Sequence, residues 1–142
     1  MLYDSGMTDI VDEMLRNSHT IAVVGYSARE DRAGHFVARY LQSQGYRIVP
    51  VNPTLTEGLG ETCYPDLRSI PFPVDLVDIF RRPDAVLEVV EDAIAIGVRY
   101  VWMQDGVVNE EAKTLAEAAG IPVVMNNCML REHSRRLGAG SH

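Results

Sequence analysis

Ile21-Ala22-Val23-Val24-Gly25 is a short β-branched run closed by a glycine. With no polar residue at either alternate position, it reads as a strand buried on both faces, the kind found in parallel sheets covered by helices. Upstream, Thr8-Asp9-Ile10-Val11-Asp12-Glu13-Met14-Leu15 sets a hydroxyl ahead of acidic first-turn residues. It also spaces Ile10, Val11, Met14 and Leu15 for one face, which predicts a leading helix. Downstream, Gly34 to Gln44 carries Val37, Ala38, Tyr40 and Leu41 at near-helical spacing and stops at Gly45. Arg47–Val51 reads as a second strand, followed by a Pro/Gly-rich connection from Asn52 to Pro73 in which Leu67–Ile70 forms at most a short helix. Asp75–Phe80 is a third strand; the helix after it opens at Pro83, turns Val86, Val89, Val90 and Ala93 inward and ends before Gly97. Tyr100–Met103, a helix from Asn109 to Ala119 ended by Gly120, Pro122–Met125 and a terminal helix Met129–Leu137 complete the pattern. Five strands alternating with helices predict an α/β fold: a Rossmann-like, doubly wound parallel five-stranded sheet with helices on both faces. Right-handed crossovers point to the order 3-2-1-4-5.

The bulk properties agree. The 142 residues carry a formal charge of −7, are 46% hydrophobic and 23% charged, and form one expected domain, 1–137, with 138–142 as a flexible tail. A chain of this length buries enough surface to fold without a disulfide or a metal. Cys63 and Cys128 form no CxxC pair, and His19, His35, His133 and His142 show no ligand spacing, so no metal site is expected. The runs Ile21–Val24 and Val74–Phe80 fall short of a membrane span, and the N-terminal residues lack the cationic start of a secretory signal, so the expected location is cytoplasmic. A pI near 5.0 opposes general nucleic-acid binding, which needs a basic face. Any bound anion must meet a local basic patch.

In a wound parallel sheet, ligands bind beyond the carboxyl ends of the strands. That rule selects Gly25-Tyr26-Ser27-Ala28, Asn52-Pro53, Phe80-Arg81-Arg82-Pro83, Gln104-Asp105-Gly106 and Asn126-Asn127-Cys128 as the walls of one crevice. The first loop has Gly25 and then nothing glycine-like until Gly34, so the three-glycine dinucleotide turn is absent. Ser27, Arg29, Arg32 and His35 still offer hydroxyl and cationic donors to a phosphate; alternatively Arg29 and Arg32 are solvated charges balanced by Glu30 and Asp31. Where NAD enzymes place an acid for the ribose, this chain has Asn52, either a ligand contact that tolerates a nearby phosphate or a plain turn former. Arg81 and Arg82 beside a proline-opened helix make an anion site, with Phe80 against a base or in the core. Neither Cys128 with His133 nor Asp105 with Glu110 makes a convincing catalytic pair, and the chain is expected not to be an enzyme.

Ile21-Ala22-Val23-Val24-Gly25-Tyr26-Ser27, Val49-Pro50-Val51-Asn52-Pro53, Asp75-Leu76-Val77-Asp78-Ile79-Phe80-Arg81-Arg82-Pro83 and Val101-Trp102-Met103-Gln104 together resemble the small stand-alone CoA-binding protein family of bacteria and archaea. Leu59–Pro65, Gly106–Ala112 and Cys128–His133 extend the resemblance over nearly the whole chain. The family is similar to the CoA-binding domain of the succinyl-CoA synthetase α-subunit. The resemblance implies coenzyme A, or an acyl-CoA, as cofactor, bound without catalysis to a monomer or weak homodimer, with neither nucleic acid nor membrane as partner. It implies Gly25, Ser27, Arg32 and His35 near phosphates, Asn52 and Pro53 beside the ribose, and Phe80, Arg81 and Pro83 along adenine and phosphates, with Tyr26 and Arg82 as further members of the site. Gln104, Gly106 and Val107 would follow the pantetheine, with Asn127 and Cys128 at the inner end. The chain departs from the family pattern at Asn127, where an arginine is common, and at Asp105, which adds a negative charge. The alternatives are an NAD(P)-binding oxidoreductase-type domain and a thiol- or acyl-carrying role for Cys128.

Overall fold

A computed structural model describes residues 9–138. Helix α1 (Ile10–Asn17) begins where the Asp9 side chain accepts the Asp12 N–H at 3.0 Å. Strand β1 (Thr20–Val24) follows, then helix α2 (Ala33–Ser43) and strand β2 (Arg47–Val51). The long connection contains a small antiparallel hairpin, β3 (Glu57–Gly58) with β4 (Glu61–Thr62), and a 3₁₀ turn at Leu67–Ser69. Strand β5 (Leu76–Ile79) leads through a 3₁₀ turn at Pro83–Ala85 into helix α3 (Val86–Ile96), which ends at Gly97 in the left-handed conformation. Strand β6 (Tyr100–Met103), helix α4 (Glu110–Ala118), the two-residue strand β7 (Val123–Val124) and helix α5 (Met129–Leu137) complete the order. None of these helices is long and apolar enough to cross a membrane.

The main sheet is parallel throughout, in the order β2-β1-β5-β6-β7. The doubly wound Rossmann-like architecture is the expected one. Numbered by chain position, the five predicted strands stand as 2-1-3-4-5, so the third pairs directly with β1. The place outside β2 is taken by the hairpin's exit: Tyr64 makes a one-residue parallel bridge to Val51, its N–H donating to Pro50 O at 3.0 Å. The layout is therefore of the 3-2-1-4-5 style, with the position beyond β2 reduced to this bridge. Pro50 lacks an N–H, and a short, irregular neighbour makes fewer demands on it than a full strand would. At the far edge, Pro122–Met125 contracts to Val123–Val124.

Alternation along the buried strands divides the apolar residues between two layers. Ala22, Val24, Val77, Ile79, Val101 and Met103 meet α3 and α4 on one face. Ile21, Val23, Leu76, Tyr100 and Trp102 meet α1, α2 and α5 on the other. Asp78 is the exception. It is 0% exposed, in register with Val23 and Trp102, and neither carboxyl oxygen has a hydrogen-bond partner among the described residues. Burial pushes its carboxyl well above the ordinary aspartate range, so the neutral acid is the form that fits.

Because the folded protein holds this proton more tightly than the unfolded chain, Asp78 contributes stability below the unfolded pKa that is lost as pH rises toward the folded one. Asp78→Asn removes the ionisation at nearly constant volume. In urea titrations at about pH 4 and about pH 7, the variant should gain on the parent by up to about 1.4 kcal/mol for each pH unit between the two pKa values. A parent-to-variant difference that does not move with pH would assign Asp78 no proton-linked cost.

Candidate ligand crevice beyond the strand ends

The loop after β1 is positioned by backbone contacts that only glycine permits. Gly25 has φ +93°, and a Cβ there would lie 2.3 Å from the Phe80 carbonyl oxygen. A Cβ on Gly34 would lie 2.5 Å from the Gly25 carbonyl oxygen. The loop is thus wedged between the end of β5 and the start of α2. Gly25 N–H donates to Val51 O at 3.1 Å, which ties in β2. The Asn52 side chain continues the tie, its Nδ2 donating to Tyr26 O at 2.8 Å while its Oδ1 accepts from Thr54 N and Oγ1, each at 2.8 Å.

Two adjoining hollows open on these loops and share Gly25 and Arg81. The first, about 400 Å³, lies between Asn52, Pro53, Asp66 and Arg81. The second, about 540 Å³, runs from Ser27 and Arg32 past Phe80, Arg81, Arg82 and Pro83 to Gln104, Gly106, Val107 and Cys128. Three of the predicted residues do not line either hollow. Tyr26 is buried under the β3–β4 hairpin, where a Cβ on Gly58 would meet its ring. His35 is buried behind the loop and donates from Nδ1 to the Ser27 carbonyl at 2.9 Å, which fixes the tautomer. Asn127 accepts with Oδ1 from Cys128 N–H at 2.8 Å and from Arg131 at 3.0 Å. These three hold the walls from behind.

The electrostatics turn on which charges are left unpaired. Arg29 is paired with Asp31 at 2.9 Å, and Arg82 lies 3.4 Å from Asp84. Arg32 and Arg81 have no carboxylate partner among the described residues. Arg32 is also the N-cap of α2 and makes no side-chain cap bond; the His35 N–H donates to Arg32 O at 2.9 Å, which leaves the Ala33 and Gly34 N–H groups open to an anion. Asp105 does not leave a free negative charge. Arg131 grips it with two bonds of 2.9 and 3.0 Å and holds its carboxyl below the ordinary range. Arg131 thus restores, from α5, a guanidinium beside Asn127.

The sequence reading had no place for Arg131, because the pairing joins residues 26 apart that meet only in the fold. It also passed over Phe36, which lines the second hollow and is 40% exposed. An aromatic residue beside the inward-facing Val37 and Ala38 was the available signal. Of the side chains weighed as possible pairs in the sequence, His133 shares a 2.9 Å hydrogen bond with Tyr40, and Asp105 is held by Arg131 at 2.9 and 3.0 Å.

Residues 19–134 match the family described as CoA binding domain. The uncharacterized protein YneT of Bacillus subtilis is 40% identical over 124 residues, 87% of this chain and 92% of YneT. A solved structure of a hypothetical protein from Pyrococcus horikoshii OT3 superposes with TM-score 0.89 at 41% identity, covering 97% of this chain and all of that one. An ADP-forming acetate–CoA ligase of Archaeoglobus fulgidus is 28% identical over 127 residues; the match spans 82% of this chain but 18% of the ligase.

The Gly34 contact separates local from tertiary effects. In an open helix, Gly→Ala gains about 1 kcal/mol in propensity. Here Gly34→Ala should instead lose about 1–3 kcal/mol by overpacking against the Gly25 carbonyl. Chemical denaturation measures the sign directly, and a stabilised variant would show that the loop yields.

Proposed function

Because this chain belongs to the CoA-binding domain family, we propose that it binds coenzyme A or a CoA thioester along the crevice beyond its strand ends, without turning it over. The observation that carries the reading is the pair of unpaired guanidiniums, Arg32 and Arg81, on a crevice that crosses four neighbouring strands. Three inter-strand spacings of ~4.8 Å separate the β2 and β6 ends by about 14 Å, so a ligand reaching both must be long. The nucleotide end fits the hollow lined by Asn52, Pro53 and Asp66, where the Asp66 carboxyl suits hydroxyls and a base better than phosphates. The phosphates fit beside Arg32 and Arg81, where cationic side chains and the open N-terminus of α2 converge. The apolar arm fits along Pro83, Val107 and Phe36 toward Cys128.

The same features weigh against NAD(P). The loop from Gly25 to Gly34 has neither the dinucleotide glycine spacing nor an acid at the end of β2. Asn52 is already engaged by Tyr26 and Thr54, as a loop brace.

Thermal melting with CoA, acetyl-CoA, NAD and NADP in parallel tests the reading, since a ligand at ~100 times its Kd stabilises by ~2.7 kcal/mol. Stabilisation by the CoA species alone is the expected result; a response to NAD or NADP instead would replace the ligand. Arg81→Ala should weaken CoA binding by about 1.5–3 kcal/mol, the value of a charge-assisted hydrogen bond, as read by calorimetric titration. Unchanged affinity would remove Arg81 from the site.

A further inference from the structure

The inner end of the crevice holds a nucleophile that simple binding does not use. Cys128 lines the second hollow, is half-buried, and is the N-cap of the nine-residue helix α5 with no side-chain cap bond. Beside it stands Gln104, only 4% exposed and lining the same hollow. The Gln104 amide is held in one orientation, because its Oε1 accepts the Met129 N–H at 3.1 Å. Its Nε2 then has no acceptor among the described residues, although nearly the whole side chain is removed from water. The Gln104 amide thus keeps one donor without a protein partner on a crevice that also holds a thiol, where an acceptor on a ligand can take it. The Met129 bond also places that donor within a residue of Cys128.

From this geometry we infer that Cys128 accepts the acyl group of a bound CoA thioester, with Gln104 Nε2 donating to the thioester oxygen. This rests on the reading that the crevice takes CoA and adds to it a single transfer in which a bound thioester is consumed once, with no catalytic cycle. The Cys128 thiol gives its proton to solvent and Sγ attacks the thioester carbonyl carbon. The negative charge that develops on oxygen meets the Gln104 N–H, and the first-turn N–H groups of α5, which have no intrahelical acceptor, add to the positive potential there. The carbon–sulfur bond to CoA then breaks, CoA leaves as the thiolate and takes up a proton, and the acyl group remains on Cys128. One thioester is exchanged for another, so no oxidant or reductant is required. The arginine nearest this end, Arg131, is bound to Asp105 and Asn127 and so shapes the rim. His133 is turned to Tyr40, so no side-chain base is assigned, and the protein acts as a stoichiometric acceptor.

The experiment is incubation of the full chain with acetyl-CoA, followed by intact mass, site mapping and melting temperature, with the acetyl thioester of N-acetylcysteamine as the nucleotide-free control. The expected result is one acetyl group on Cys128, absent in Cys128→Ser, formed at least ~10-fold faster from acetyl-CoA than from the control at equal concentration because binding positions the carbonyl. Gln104→Glu keeps an acceptor for Met129 N–H but removes the donor, and should slow acetylation by about 100-fold. Its melting temperature shows whether it is folded. A melting shift with acetyl-CoA but no adduct overturns the acyl-transfer inference and leaves binding standing. The same holds for an adduct on Cys63, for equal rates from both thioesters, or for undiminished acetylation of folded Gln104→Glu. Absence of both the melting shift and the adduct overturns binding and transfer together.

Discussion

The carbonyl of Phe80 lies against Gly25, and the carbonyl of Gly25 lies against Gly34, each so close that a single methyl group would not fit. Through these two contacts the end of β5, the loop after β1 and the first turn of α2 become one rigid corner. The features that make the crevice follow from it. Arg32 becomes the cap of a helix whose amides point outward, and Arg81, next after Phe80, becomes the residue common to both hollows. His35 and Asn52 then brace the same loop from two sides, one through Ser27 O and the other through Tyr26 O. A parallel sheet buried on both faces has its loops as the natural place for such polar groups.

Charge in this protein is local. The chain carries −7 overall, and of the acids lining the crevice Asp105 is paired with Arg131 and Asp92 with Arg68, while Asp66 and Glu88 in the first hollow have no cationic partner among the described residues. What an anion meets is Arg32 and Arg81, the first in the second hollow and the second common to both. Exposed pairs of this kind add little to stability. Their effect is to decide which guanidiniums stay available, and therefore where an anion is attracted. Asp78 shows the opposite situation. It sits in the layer Val23, Asp78 and Trp102, two residues before Gly25, Phe80 and Gln104 at the ends of those strands, and has no cation to meet among the described residues. It stays neutral there, at a cost that rises with pH.

Much of this was readable in one dimension because strand and helix periods are properties of nearest neighbours. The run Ile21–Val24, the stop at Gly97 and the terminal helix Met129–Leu137 fall where periodicity and caps put them. The neighbour of β2 was harder, because a parallel crossover says nothing about which side of a strand the next one takes. Here Tyr64, in a segment without a strand pattern, fills the edge beyond β2. In the crevice, the strand-end rule named Arg81, Gln104 and Cys128 and the donors of the loop after β1 added Arg32, and these four line one hollow. Tyr26, His35 and Asn127 line neither hollow, since a residue near a strand end turns inward as easily as outward.

Local sequence is enough to set the alternation of elements, the two-sided burial of the strands, the edge of the sheet that carries the loops, and the glycines at Gly25 and Gly34. Those are consequences of side-chain period, backbone freedom and helix capping, which act over a few residues. Folding had to bring distant residues together before Asp105 met Arg131, before Asn52 was taken up in bracing Tyr26, and before Gln104 kept one amide donor unmet beside Cys128. Hydrogen bonds and ion pairs depend on distances between atoms far apart in the chain, and these exist only after the sheet has set them.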